Sequence, residues 1–216
     1  MTVTKRQMDG NLRVGGIVLC GGKSSRMGLA KAWLPIAGEP MLARIVRLLS
    51  EVPRLSGPLV VVAAPSQDLP KLPSHVTVER DEVEDRGPLQ GLAAGLDALS
   101  GQADAAFVSS CDVPFLQPAF VDRMIELLGD DCVCVPRIDG RIHPLAGVYR
   151  VSVLYTVRTM LDANRLRTTE LFDSLPARFV GAEDLVGVDP SLASLRNLNT
   201  PEEFELARRD LGEGFV

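Results

Sequence analysis

Short apolar runs alternate along this chain with stretches whose apolar residues recur at helical spacing, and that alternation restricts the fold more than any other feature. Val14 to Cys20, Leu59 to Ala64, His75 to Val78 and Ala105 to Ser109 read as strands of a buried sheet. Helical stripes separate them. One is Met41, Leu42, Ile45, Val46, Leu48 and Leu49 behind Pro40, a favoured first-turn residue; another is Leu89, Leu92, Ala93, Leu96 and Leu99 behind Gly87-Pro88; a third is Phe120, Val121, Met124, Ile125, Leu127 and Leu128. This order predicts an α/β fold, a Rossmann-like three-layer sandwich with a mostly parallel sheet and ligands at the carboxyl ends of its strands. Cys132 to Pro136 and Pro144 to Tyr149, joined by a turn at Asp139-Gly140, predict an antiparallel insertion in that sheet.

The remaining signals are shorter. Val153, Leu154, Val157, Met160 and Leu161 form a helical stripe, Thr168 reads as the cap of a short helix, and Phe179-Val180 as a small edge strand. Thr200-Pro201-Glu202-Glu203 carries the capping-box pattern of a last helix. Residues Met1 to Arg13 are polar and without periodicity, which predicts a mobile tail over 1–13 ahead of a single domain over 14–216.

The first apolar run breaks into Leu19-Cys20-Gly21-Gly22-Lys23-Ser24-Ser25-Arg26-Met27-Gly28-Leu29-Ala30-Lys31. Glycine lets backbone N–H groups approach a ligand closely, and Arg26 and Lys31 can set charge against phosphate oxygens. Two commoner phosphate loops are excluded. A Walker A loop needs glycine where Ile17 stands, and Gly15, Gly16, Gly21 and Gly22 do not fall into a G-x-G-x-x-G spacing. Asp112, in Cys111-Asp112-Val113-Pro114, follows the run Ala105 to Ser109 and so belongs at the same end of the sheet. A lysine and arginine loop that handles a nucleoside triphosphate calls for Mg²⁺, a hard cation that needs at least one carboxylate oxygen and keeps several waters; Asp112 is the candidate ligand. Asp81, ahead of Glu82-Val83-Glu84-Asp85, has the reach to meet a ribose or base. His143, before Pro144, reads as an orienting group rather than a general base. Asn197 and Asn199 alternate on one extended segment and can line a pocket.

Composition removes other classes. A formal charge of −5 with mixed signs along the chain argues against a nucleic-acid surface and for a small substrate. No apolar run approaches the length of a membrane span, and Lys5 and Arg6 are not followed by an apolar segment. Cys132 and Cys134 alternate on one strand face as buried thiols, and neither histidine stands at ligand spacing to a cysteine pair, so a zinc site is not expected. These points predict a reducing, cytoplasmic setting. Ser109 and Ser110 lack the G-x-S-x-G glycines of a nucleophile elbow.

Taken together, Leu19-Cys20-Gly21-Gly22 with Arg26-Met27-Gly28 and Lys31, Leu34-Pro35, Gly87-Pro88-Leu89 with Gly91-Leu92, Cys111-Asp112-Val113-Pro114, His143-Pro144 and Asn197-Leu198-Asn199-Thr200-Pro201-Glu202 resemble the molybdenum cofactor guanylyltransferases, within the glycine-loop nucleotidyltransferases. The resemblance spans most of the chain. It implies transfer of GMP from Mg²⁺-GTP to the terminal phosphate of molybdopterin-bound molybdenum, releasing pyrophosphate. It also implies that Leu19, Cys20, Gly21 and Gly22 meet the guanine nucleotide, Arg26 and Lys31 its phosphates, Asp81 the nucleoside, and Asp112 the Mg²⁺. His143, Arg165, Arg167, Asn197 and Asn199 would face the pterin, and transient contact with a molybdoenzyme or another cofactor-biosynthesis protein follows from the same resemblance.

Two departures stand out. Guanylyltransferases of this type tend to carry an Asn after the second strand, where this chain has Ala63-Ala64-Pro65, and the loop before Lys31 is one residue shorter than the common form and lacks its Asp. Guanine is still favoured over cytosine, because the related cytidylyltransferases resemble Leu-Ala-Ala-Gly at the loop start and Gly21-Gly22 leaves more room for a purine. The alternatives are a cytidylyltransferase or a sugar- or alcohol-phosphate nucleotidyltransferase of the same fold, or a carrier module without catalysis.

Overall fold

The computed structural model describes residues 12–21, 31–81, 86–212. In chain order the elements are β1 (Val14–Leu19), β2 (Pro35–Ile36), β3 (Glu39–Pro40), α1 (Met41–Ser50), β4 (Leu59–Ala63), β5 (Val76–Arg80), α2 (Gly87–Ala98), β6 (Ala105–Ser110), α3 (Pro118–Leu127), β7 (Val133–Ile138), β8 (Arg141–Ile142), β9 (Ala146–Arg150), α4 (Leu154–Asp162), β10 (Ala177–Val180), α5 (Ala182–Leu185) and α6 (Pro201–Asp210). The main sheet runs β10-β7-β9-β6-β1-β4-β5, with β8 paired to β7. Strands β5, β4, β1 and β6 are mutually parallel, β9 is antiparallel to both its neighbours β6 and β7, and β10 is parallel to β7. The predicted α/β fold, mostly parallel with an antiparallel insertion, is therefore present.

Side chains alternate across β1 because successive Cβ atoms point to opposite faces. Val14, Val18 and Cys20 enter one core with Leu42, Ile45 and Leu49 of α1 and Phe120, Val121 and Met124 of α3. Ile17 and Leu19 enter the other, with Leu89, Leu92 and Leu96 of α2 and Val157 and Leu161 of α4. Each such side chain contributes about 1.5–3 kcal/mol relative to remaining in water. A smaller third cluster, Leu34, Ile36, Met41, Leu198 and Ala207, seats α6 beneath the β2–β3 hairpin.

Backbone conformation explains the turns. Asp139 and Gly140 both have positive φ, 50° and 79°, and so close a tight hairpin from β7 into β8; the continuous link to β9 expected from sequence carries this extra two-residue strand. Ala37 and Gly38, at φ 51° and 78°, make the same kind of turn between β2 and β3.

Several expectations are corrected. β5 lies at the sheet edge and is largely exposed rather than buried, since β4 covers one of its sides and, among the described residues, no strand pairs the other. Pro40 is the N-cap of α1, with extended backbone (φ −60°, ψ 140°), and the helix begins at Met41. Thr168 is not a cap: it opens a 3₁₀ turn whose capping position is Arg167, and its buried Oγ1 has no hydrogen-bond partner among the described residues. Cys134 is buried as expected, but Cys132 lies ahead of β7 and is only half-buried. Thr200 does cap α6: its side chain accepts from the Glu203 N–H while Glu203 reaches back to the Thr200 N–H.

Gly147 sets the spacing of the antiparallel insertion, since a Cβ there would lie 2.5 Å from Val135 Cγ1 and 2.7 Å from the Cys134 carbonyl oxygen. The carbonyl is backbone and cannot swing aside. Gly147→Ala is expected to destabilise the fold by about 1–3 kcal/mol in chemical denaturation; an unchanged midpoint and slope would contradict the packing described.

Candidate functional site

β1 feeds α1 and β4 on one side, and the chain returns through α2 to β6 on the other, so the connection reverses direction across the sheet at β1 and β6. Such a switch leaves a crevice outside the carboxyl ends of the two strands. The pairing Leu19↔Ser110 makes those ends level, and the Cys111 N–H donates to the Leu19 carbonyl at 3.0 Å. Cys20-Gly21 and Cys111-Asp112 consequently emerge side by side.

Lys31, at the start of a 3₁₀ turn over Lys31–Trp33, reaches into the same crevice. Its Nζ lies 2.5 Å from Asp112 Oδ2 and donates to Asn199 Oδ1 at 3.2 Å. The other carboxylate oxygen, Asp112 Oδ1, accepts from the Ser110 hydroxyl at 2.6 Å. Asp112 is buried at 9% exposure, so a charge there requires such partners. The turn itself is tied down at its far end by Trp33, whose indole N–H donates to the Asp68 carbonyl at 3.2 Å.

The C-terminal segment is docked onto this centre by its backbone. The Leu198 N–H donates to the Asp112 carbonyl at 2.9 Å, and one oxygen of Glu203 accepts from the N–H groups of Asn199 and Thr200 at 2.6 and 3.1 Å. Upstream, the fully buried Asp189 accepts from the Ala193 and Ser194 N–H groups and from Gln117 Nε2. A carboxylate so supplied with donors holds the segment before Asn197 against the start of α3.

Beneath the glycine turn lie two thiols. Cys20 accepts a hydrogen bond from Cys111 and a weaker one from Gln67, which together lower its pKa against the effect of burial. Cys111 is pushed well above the ordinary thiol range by donating that bond and by burial. Both pack in the core on the α1 side of the sheet.

The residues predicted from sequence fall into three groups. Leu19, Cys20, Gly21, Lys31, Asp112 and Asn199 converge on the crevice. Asp81 follows β5 at the same end of the sheet, its N–H bonded to the Ala63 carbonyl, but β4 stands between it and β1. Gly22 and Arg26 lie outside the described residues. Of the later set, His143 sits between β8 and β9, its backbone bonded to Pro136 and Ala146, and burial followed by the nearby Arg141 lowers its pKa, which favours the neutral ring. Arg165 is ion-paired with Glu170 at 2.9 Å. Two participants were not singled out for the part they play here: Ser110, which stands two residues before Asp112 on the strand, and Gln67, which lies beyond the apolar run and carries no pattern.

Among the described residues no group of three or more His, Cys, Asp or Glu side chains gathers as a metal cage. A lone carboxylate is nevertheless what Mg²⁺ asks of a protein when phosphates and waters complete its shell, so Asp112 fits that ion. No helix among the described residues is long and apolar enough to cross a membrane.

A mostly parallel sheet that opens at its switch point onto Cys20-Gly21, Lys31 and Asp112 defines an α/β protein with a nucleotide-type crevice. Residues 16–176 match the family described as the MobA-like NTP transferase domain. A molybdenum cofactor guanylyltransferase of Desulfosudis oleivorans is 32% identical over 205 residues, covering 94% of this chain and 98% of that protein. A probable molybdenum cofactor guanylyltransferase of Methanothermobacter thermautotrophicus is 34% identical over 196 residues, covering 88% and 96%. Among solved structures, molybdopterin-guanine dinucleotide biosynthesis protein A from Archaeoglobus fulgidus superposes with a TM-score of 0.75 at 18% identity, covering 94% of this chain and all of that one, a likeness of fold. The chain belongs to the MobA-like NTP transferase family, and it is a nucleotidyltransferase that takes a nucleoside triphosphate as substrate.

Among the described residues a Cβ added at Gly21 would meet only the Ala64 nitrogen, at an ordinary 3.6 Å, so none of them requires glycine there. Gly21→Ala is expected to change stability by less than about 0.5 kcal/mol while weakening nucleoside triphosphate binding in calorimetry. Unchanged binding would mean that the nucleotide does not lie against this turn.

Proposed function

We propose that this enzyme transfers GMP from Mg²⁺-bound GTP to the terminal phosphate of molybdopterin-bound molybdenum, releasing pyrophosphate. The observation that carries the reading is the contact of Lys31 with Asp112 at the β1 and β6 ends, which gathers one cation and one carboxylate of the kind Mg²⁺ takes beside Cys20-Gly21. The names of the relatives, guanylyltransferases over nearly their whole length, support the base and the acceptor.

The reaction forms a bond between an acceptor phosphate oxygen and the α-phosphorus of GTP and breaks the bond from that phosphorus to the bridging oxygen. The electron pair leaves with pyrophosphate. Such a displacement needs alignment and charge neutralisation rather than a covalent nucleophile. Lys31 would turn from Asp112 to the phosphates, and Arg26 would join it from the glycine loop. Asp112, held in orientation by Ser110, would ligate Mg²⁺, which supplies further neutralisation of the triphosphate when bound. The backbone of Leu19, Cys20, Gly21 and Gly22 would cradle the guanosine, Asp81 would meet the nucleoside, and Asn197 and Asn199 the pterin side. Contact with a recipient molybdoenzyme would follow release, and the cytoplasm is the compartment in which these substrates would be met.

Incubation with Mg²⁺, molybdopterin and each of the four NTPs should release pyrophosphate fastest with GTP. Faster release with CTP would reject the guanylyl assignment. Asp112→Asn should lower turnover by about 10²-fold or more in a protein that still unfolds cooperatively, and turnover close to wild type would remove Asp112 as the metal ligand. Lys31→Ala should weaken GTP binding by about 10- to 100-fold and guanosine binding little; equal losses for both would place Lys31 away from the phosphates.

A further inference from the structure

Gln67 makes more contacts at the carboxyl end of β4 than a surface loop residue needs. Its Nε2 donates to the Cys20 carbonyl at 3.0 Å and approaches Cys20 Sγ at 3.5 Å, while its Oε1 accepts from the Ala64 N–H at 3.1 Å. The loop that presents it is fixed in turn: Arg80 Nη1 donates to the carbonyls of Ala64 and Gln67 at 2.9 and 2.7 Å. The single carboxamide thus joins the end of β4 to the end of β1.

What this bridge controls follows from peptide geometry. The Cys20 N–H donates to the Val62 carbonyl, so Cys20 faces β4, and Gln67 holds its carbonyl on that same side. In a planar trans peptide the next N–H points the opposite way. The Gly21 N–H is thereby aimed away from β4 toward the β6 side, into the crevice that holds Asp112, and among the described residues no hydrogen bond takes it up. Among the described residues, a Cβ placed on Gly21 would meet only the Ala64 nitrogen, at 3.6 Å, so the turn is not crowded on that side.

We propose that Gln67 is a positioning residue for base selection: by locking the Cys20–Gly21 peptide it presents a fixed N–H donor to an acceptor on the purine. The inference rests on the guanylyl reading above. Guanine offers its 6-oxo oxygen to such a donor, whereas adenine offers an amino group at that position and cytosine an exocyclic amino group on ring carbon C4. A donor held in one orientation rewards the oxo group and penalises the amino group; a peptide free to rotate presents its carbonyl to the amino group instead and discriminates less.

The test compares GTP with the triphosphate of 2,6-diaminopurine riboside, in which an amino group replaces the 6-oxo group. Calorimetric titration is made with wild type, Gln67→Leu and Gln67→Glu, with inorganic tripolyphosphate as a probe of the phosphate side. Wild type should prefer GTP by about tenfold or more. Both variants should lose most of that ratio with tripolyphosphate binding unchanged. Gln67→Glu keeps the acceptor for Ala64 but sets a carboxylate oxygen against the Cys20 carbonyl in place of the donor, so it breaks the bond by repulsion and serves if Gln67→Leu fails to fold. An unchanged ratio in a folded variant overturns the proposal, as does a parallel loss for GTP, the analogue and tripolyphosphate. If wild type prefers another base, the guanylyl reading fails separately, and the change in that preference on substitution still decides the part played by Gln67.

Discussion

The level parallel pairing of β1 with β6 is the constraint on which this molecule depends. Because Leu19 lies opposite Ser110, Cys20-Gly21 and Cys111-Asp112 leave the sheet side by side. A slip of one residue would exchange Val18 and Cys20 with Ile17 and Leu19 between the two cores, and neither core has the shape to accept the exchange. The register that fills the cores is therefore also the register that sets Asp112 beside the glycine turn. α2 reinforces it by close approach: a Cβ at Gly95 would come within 2.6 Å of Ile17 Cγ2, so only glycine lets the helix settle at this depth over β1.

Electrostatics at the crevice extend that frame rather than create it. Asp112 is largely withdrawn from water and is compensated by Ser110 and Lys31, and Lys31 is shared with Asn199 from the far end of the chain. Long-range closure of this kind carries an entropic cost that local bonds must offset. Asp189 inside the C-terminal segment and Glu203 at the start of α6 supply those bonds, each carboxylate satisfying backbone N–H groups that would otherwise be left without partners. The cluster of Leu34, Ile36, Met41 and Leu198 adds apolar burial between the β2–β3 hairpin and α6. The crevice is thus assembled from both halves of the chain, and its closure centres on Asp112, whose backbone anchors Leu198 while its side chain faces Lys31.

Much of this was legible in the sequence because two physical periods speak plainly. Buried parallel strands read as unbroken apolar runs, and α1, α2 and α3 as stripes at helical spacing, so the sheet, its insertion and the placing of Asp112 at a strand end could be read directly. The capping box at Thr200 was equally clear, since its residues act locally. Thr168 misled because a hydroxyl residue ahead of a short turn looks the same whether it caps or is merely buried. The exposure of β5 depended on its being last in the sheet, which is a matter of topology and not of composition. Gln67 and the alignment of Lys31 with Asn199 were silent, because bonds between residues far apart in sequence leave no period; Gly22 and Arg26 lie outside the described residues.

The central claim is spatial, that one metal-bound triphosphate is gripped between the β1 turn and the β6 carboxylate. Anomalous scattering from Mn²⁺, standing in for Mg²⁺ in crystals grown with a non-hydrolysable GTP analogue, tests it most directly. The account predicts an anomalous peak about 2.1–2.2 Å from an Asp112 carboxylate oxygen, with Lys31 Nζ turned onto the phosphates and the base beside Gly21. A well-occupied Mn²⁺ and triphosphate in another cleft, with the Lys31 and Asp112 pair intact, would contradict it.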